Sequence, residues 1–297
     1  MTYGASRLHE RNPALADYNG GLSIIDIERC TSASPGTKNP VEIFTVNDAH
    51  DGLINDIDGI GGTSIGHGAP EIVTAGKDGR VRVWDPRTKD PVACMKPEVG
   101  ASSRDCWSVA FGNSYNDDER CVCAGYDNGD IKLFDLRTNS LRWETTCRNG
   151  VTNVQFDRID IEMNKLLATT LESKFLCYDM RTHHPKEGYA HLEEKAHRST
   201  VWLGRHLPQN RDIFMTGGGN GGFNIYKYHY PSNRTSTNRE DRLPIGVMGN
   251  VELLNSRVIS TQPIVSFDWS PDRAGLCCLS SLDQSIRVYI VTKLEKH

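Results

Sequence analysis

The chain has 297 residues, 37% of them hydrophobic and 24% charged, with a formal net charge of −4. That composition suits a soluble protein with a sizeable core, and it lacks the basic excess that marks binding to nucleic acid or an acidic membrane. No apolar run approaches the ~18 residues that span a bilayer, and the opening MTYGASRLHERNP has no apolar segment of a secretory signal.

In chain order, residues 1–14 show no periodicity and are expected to be disordered or irregular. A pattern then begins and recurs. LADYNGGLSIID (Leu15 to Asp26) is a weak first copy. It is followed by IVTAGKDGRVRVWD (Ile72 to Asp85), CVCAGYDNGDIKLFD (Cys121 to Asp135) and LLATTLESKFLCYD (Leu166 to Asp179). IFMTGGGNGGFNIYK (Ile213 to Lys227) and CCLSSLDQSIRVYI (Cys277 to Ile290) complete the series. The closing residues Ile25, Trp84, Phe134, Tyr178, Tyr226 and Tyr289 are spaced by 44 to 63 residues. Six positions before them stand Asn19, Asp78, Asn128, Glu172, Asn220 and Asp283, each a hydrogen-bond acceptor suited to a tight hairpin. Gly20, Gly79, Gly129 and Gly221 complete four of those turns.

Between the marks the strands alternate, as in Val81-Arg82-Val83-Trp84. First strands are expected at Ile54 to Asp58, Cys106 to Phe111, Val151 to Phe156, Val201 to His206 and Ile264 to Trp269. Leu192 to Lys195 is a candidate helical turn. Gly59 to Gly68 and Pro231 to Leu243 read as loops, the polar SNRTSTNREDR within the second as a mobile insertion. Repetition of this kind predicts an all-β fold, a β-propeller spanning 15–294. It reads as about five complete blades, near 41–87, 100–137, 141–181, 196–230 and 245–294, after a partial N-terminal blade at 15–28. N-terminal sequence is therefore expected to be missing relative to a full ring. The nine cysteines form no C-x-x-C pair and lie mostly in strand-like runs, which fits a reduced, cytosolic chain without disulfides.

Several residues carry chemistry that has to be weighed. His50, Thr74, Asp78 and Trp84 form a complete set for a structural tetrad, and His197, Thr216, Asn220 and Tyr226 a weaker one. A His-Asp-Thr triple also describes a hydrolase. Here it sits on a repeat and lacks a nucleophile on a sharp turn, so no catalytic residue is assigned. Five histidines between His183 and His206 have spacings that match no metal site and read as loop and surface residues. The glycine-rich GIGGTSIGHG and GGGNGG open no helix after a parallel strand, so no cofactor or nucleotide is expected.

Arg87, Arg137 and Arg181 stand two residues after an aspartate in WDPR, FDLR and YDMR. They read either as local ion pairs or as a docking surface for a ubiquitin-ligase adaptor. Alignment of the first strands places Asn55, Trp107, Thr152, Trp202 and Val265 at one level, with Arg104, Arg148 and Arg198 just before three of them. Trp107 and Trp202 are either wedges in the core or, with Arg104, Arg148 and Arg198, anchors for a partner protein.

The repeats resemble the WD40 family. Loop and first-strand stretches such as RDCWSVAFGN, EKAHRSTVW and STQPIVSFDWSPD are similar to its WD-repeat assembly factors for axonemal dynein, over roughly Leu15 to Leu294. The resemblance implies a seven-bladed, non-enzymatic scaffold in the cytoplasm. It implies protein partners, namely axonemal dynein chains and subunits of a prefoldin-like, Hsp90-linked co-chaperone complex, and no small-molecule substrate. An association with apoptosis comes with it. The alternative is a substrate receptor of a cullin-RING ubiquitin ligase acting through the WD-x-R motifs.

Overall fold

The computed structural model describes residues 1–5, 10, 12–32, 41–60, 71–98, 102–115 and 118–296. The chain divides into two compact units, Met1–Arg148 with Ile159–Glu162, and Asn149–Arg158 with Met163–His297. Each unit is built of three antiparallel sheets of the blade type, so the fold is all-β and of the β-propeller class.

In the first unit, β1 (Ala14–Ala16) and β2 (Leu22–Asp26) are followed by a short helix α1 (Ile27–Ser32) and by β3 (Val41–Val46), which pairs back onto β2. The second sheet is a meander of β4 (Ile54–Gly59), β5 (Ile72–Gly76), β6 (Val81–Trp84) and β7 (Ala93–Met95). The third repeats it with β8 (Cys106–Gly112), β9 (Cys121–Tyr126), β10 (Asp130–Asp135) and β11 (Ser140–Thr146). Alternation puts Val73, Val81 and Val83 on one face, where they pack with Val109, Phe111 and Val122 of the next sheet.

The second unit opens with β12 (Val151–Phe156), β13 (Lys165–Thr170), β14 (Lys174–His184) and β15 (Gly188–Lys195). Its second sheet holds β16 (Val201–Leu207), β17 (Asn210–Gly218) and β18 (Gly222–His229). A small hairpin of β19 (Thr235–Thr237) and β20 (Pro244–Gly246) follows before β21 (Asn250–Val258) completes that sheet. The last sheet has three strands among the described residues: β22 (Ile264–Trp269), β23 (Leu276–Ser281) and β24 (Ser285–Ile290).

Two features recur in five sheets. Each inner strand carries a β-bulge after its first residue, and the extra residue is Asn55, Trp107, Thr152, Trp202 or Val265. Beside each bulge the N–H of Lys77, Asp127, Leu171, Gly219 or Leu282 closes onto the carbonyl of Leu53, Asp105, Gly150, Thr200 or Pro263, at 2.8 to 3.1 Å.

The structure differs from the sequence reading in four places. Among the described residues four of the blade sheets are four-stranded and two three-stranded, so the expected blade limits shift: Val41–Val46 belongs with β2, and Asn250–Val258 with β18. The cause is the meander itself, since the strand after each closing aromatic turns back and pairs with it. Residues 192–195 are extended within β15 instead of helical. The insertion near 231–243 forms the β19–β20 hairpin. At the N-terminus, Thr2 pairs with Ala14 and Ala5 is buried. The glycine-rich segment expected at 59–68 lies almost wholly outside the described residues.

Candidate partner-binding surface and its supporting networks

The hairpin turns hold the first network. Trp84 Nε1–H donates to Thr74 Oγ1 at 2.8 Å, Thr74 Oγ1 meets His50 Nε2 at 2.7 Å, and His50 Nδ1 meets Asp78 Oδ1 at 2.9 Å. The chain is self-consistent if Thr74 donates to Nε2 and Nδ1–H donates to the carboxylate. Burial pushes the Asp78 carboxyl up, but the hydrogen bond and charge of His50, with the amides of Arg80 and Asp51, hold it below the usual carboxylate range. Thr74 and the His50 side chain are fully buried, so no substrate can reach the hydroxyl. The triple ties β5 and β6 to the incoming loop.

In the second unit, His197 Nε2 meets Thr216 Oγ1 at 2.8 Å, while Asn220 Oδ1 accepts the Gly222 N–H at 3.2 Å. Tyr226 OH accepts from Asn224 Nδ2 at 3.1 Å, and Asn224 also donates to Ala196 O. Both His197 and Asn220 crowd Gly218, where a Cβ would come within 2.7 Å of each. Burial takes the His197 imidazole down to about 4, so it is neutral. The last sheet has a variant that contains no histidine. Ser281 replaces the glycine found at Gly76 and Gly218, and its hydroxyl meets Ser260 Oγ at 2.7 Å, with Asp283 at 3.1 Å from Ser260. A serine on the strand fills room that a histidine takes elsewhere.

The three D-x-R motifs share one backbone device. Asp85, Asp135 and Asp179 each accept the N–H of the arginine two residues on, at 2.8 to 2.9 Å, forming an Asx turn. Their guanidinium groups diverge. Arg87, 73% exposed, makes a fork to both oxygens of Asp85. The Asp179 carboxylate is instead taken by Arg234 from the insertion, at 2.6 and 3.1 Å. Arg137 and Arg181 are exposed, and two-oxygen forks like that of Arg87 are made instead by Arg234 on Asp179 and by Arg287 on Asp283.

The insertion is anchored by residues the sequence did not single out. Lys165 is 1% exposed, with its Nζ 3.0 Å from Asp212, 3.5 Å from the fully buried Asp157, and bonded to Tyr230 OH. It also lies over the rings of Tyr230 and Tyr228. Burial lowers its affinity for the proton, yet Asp157, Tyr230 and Asp212 more than offset this and keep the ammonium charged. Arg234, also over the Tyr230 ring, bonds Asn164 as well as Asp179. At the far end His184 Nδ1 accepts the N–H groups of Lys186 and Glu187, so its Nε2 carries the proton toward Asp241 at 3.0 Å. The histidines expected on the surface are thus largely interior: His184, His197 and His206 are buried. Among the described residues no group of three His, Cys, Asp or Glu could hold a metal ion.

The bulges determine what is displayed. Asn55 Nδ2 donates to Cys106 O at 2.8 Å and Thr152 Oγ1 donates to Val201 O, so both side chains are spent on the neighbouring inner strand. Trp107 is half-buried, whereas Trp202 is 39% exposed and Val265 is also open. Arg198 is exposed four residues before Trp202, and Gly219 beside it adds no side chain next to the indole nitrogen. Arg104, preceding Trp107, is exposed, as is Arg148. Among the described residues no helix is long and apolar enough to cross a membrane.

The family described as WD domain, G-beta repeat, matches residues 40–85. Dynein axonemal assembly factor 10 of Homo sapiens is 56% identical over 296 residues, which covers 99% of this chain and 80% of that protein. The protein of the same name from Chlamydomonas reinhardtii is 52% identical over 297 residues, with the same coverage. That of Dictyostelium discoideum is 26% identical over 293 residues, 92% of this chain and 69% of its own length. Among solved structures, the computationally designed Ika8 protein aligns with a TM-score of 0.59 at 15% identity, over 94% of this chain and 67% of its own. That likeness is one of fold alone.

Proposed function

We propose that this chain, which belongs to the family of dynein axonemal assembly factor 10 (Monad), is a non-enzymatic cytoplasmic adaptor in the preassembly of axonemal dynein arms. It would hold client dynein subunits together with a prefoldin-like, Hsp90-linked co-chaperone complex. Support comes first from relatives that carry the assembly-factor name at 52 to 56% identity over 99% of the chain. The structural observation that carries the reading is the bulge series. It fixes a backbone frame and then presents Trp202 with Arg198 in one unit and Trp107 with Arg104 in the other. Aromatic and arginine anchors of this kind supply most of the binding energy at protein interfaces.

Trp202→Ala with Arg198→Ala, in the full chain, is expected to lower recovery of dynein or co-chaperone subunits from ciliated-cell extract by about tenfold, with the thermal midpoint unchanged. Wild-type chain that recovers neither class of protein would defeat the adaptor reading. The ligase-receptor alternative finds less support. Its three arginines are not equivalent, since Arg87 is locked to Asp85 while Asp179 is committed to Arg234.

A further inference from the structure

The two tryptophan bulges carry different charge around the same pair of side chains. In the second unit Arg198 is exposed, and no carboxylate pairs with it among the described residues. The Trp202 indole N–H, a donor only, likewise has no acceptor among them. The backbone beneath is bare. A Cβ on Gly219 would stand 3.3 Å from Trp202 Nε1 and 3.1 Å from Ser199 Oγ, so the residue after Arg198 and the indole nitrogen meet over one glycine.

The polar groups of the neighbouring turns in this unit are already engaged. Glu172 lies 3.9 Å from Lys174, which also holds Glu193, and Asp283 is gripped by Arg287. Asn220 Oδ1 takes the Gly222 N–H and the Ser199 hydroxyl. The flanks of β16 are internal to the unit. Val201 O accepts from Thr152 of β12 on one side, and Arg205 O accepts from Trp269 of β22 on the other. At the bulge of Trp107 the balance is reversed. Asp105 directly follows Arg104, and Asp127 stands where Gly219 does, its N–H closing onto Asp105 O, so two carboxylates accompany one guanidinium.

We propose that Trp202 and Arg198 form a carboxylate-binding site for an acidic peptide segment. An aspartate or glutamate side chain of that segment accepts from the indole N–H and from the guanidinium, and an apolar neighbour lies on the indole ring. A basic segment, the other ligand that an indole face attracts, meets the unpaired charge of Arg198 and is rejected. The identity of the protein that supplies the segment rests on the adaptor reading above; the ligand chemistry does not.

The probe is a blocked seven-residue peptide with a leucine–glutamate–leucine centre between serine and glycine ends, titrated into isotope-labelled full chain and followed by NMR. The chain has five tryptophans, and the indole resonance lost in Trp202→Phe identifies that of Trp202. This N–H should move downfield in a saturable way while that of Trp107 stays in place. The counterpart peptide with glutamine for glutamate should bind about tenfold more weakly. Arg198→Ala should weaken binding of the glutamate peptide about tenfold, and Arg198→Lys, which keeps the charge, by less than about threefold. Arg198 is exposed, so both variants should fold, and melting curves verify this. No saturable shift at Trp202, equal binding of the two peptides, equal binding by Arg198→Ala, or a matching shift at Trp107 would overturn the proposal. Such a failure with dynein or co-chaperone subunits still recovered would leave the adaptor reading standing. Peptide binding without that recovery would defeat the adaptor reading alone.

Discussion

Lys165 shows how a single ammonium can position a whole segment. Its charge is removed from water and met by Asp157 and Asp212, and both it and Arg234 lie against the ring of Tyr230. Removing one partner of such a pair leaves the other charge buried and unpaired, which costs about 3–5 kcal/mol. Lys165→Met is therefore expected to lower the unfolding free energy by that amount, measured by urea denaturation at pH 7. A change below about 1 kcal/mol would mean Asp157 finds other donors. Little of this was legible in the sequence. A lysine at a strand start and an aspartate in a loop look solvated, because partners 47 residues apart, such as Lys165 and Asp212, meet only through the pairing of sheets. His50 and Asp78 were legible for the opposite reason, since the repeat places each at a fixed offset from Trp84.

At the level of the hairpin, the turn residue must accept a left-handed backbone. Gly79, Gly129 and Gly221 do so with φ of +73°, +97° and +72°, but the equivalent positions in two other sheets are Ser173 at +71° and Gln284 at +66°. A side chain in that region costs roughly 1 kcal/mol. Gln284→Gly should raise stability by about 1 kcal/mol, and Gly79→Ala should lower it by more, because its Cβ would come 2.7 Å from Arg104 O. Thermal midpoints of the two variants check both signs. The glycines and the acceptors before them made the inner hairpins readable in advance. Outer strands were read one sheet too late, since nothing in Val41–Val46 or Asn250–Val258 says which neighbour it pairs with until the turn geometry is fixed. The insertion was missed as structure because its own residues are polar and its order comes from Asp179, Asn164 and His184, far away in the chain.

For the molecule as a whole, acid is the condition that most directly tests the interior. Burial holds His197 and His206 at about 4, against an ordinary value near 6.5. The unfolded chain thus binds these protons first as pH falls. Stability present above pH 6.5 should decline between 6.5 and 4, by up to about 3 kcal/mol per histidine. The depressed carboxyl of Asp78 adds its loss only at lower pH, as it too is protonated. Both ring nitrogens of His206 are buried without a hydrogen-bond partner, and the ring lies 5.7 Å from that of Phe214. His206→Phe should accordingly gain about 1 kcal/mol at pH 7 and flatten the acid slope by about half, in urea titrations at pH 7 and 4.5. An unchanged slope would place the acid sensitivity elsewhere.

The bulges separate two duties that one residue would otherwise share. Backbone closure at each site falls to the adjoining amide of Lys77, Asp127, Leu171, Gly219 or Leu282, so it does not depend on the identity of the supernumerary side chain, which at Asn55 and Thr152 ties strands together and at Trp202 and Val265 is exposed. Asparagine, threonine, tryptophan and valine have all been accommodated there in one polypeptide. New binding preferences can therefore be acquired at these points by ordinary point substitution, while the architecture that presents them stays out of reach of the change.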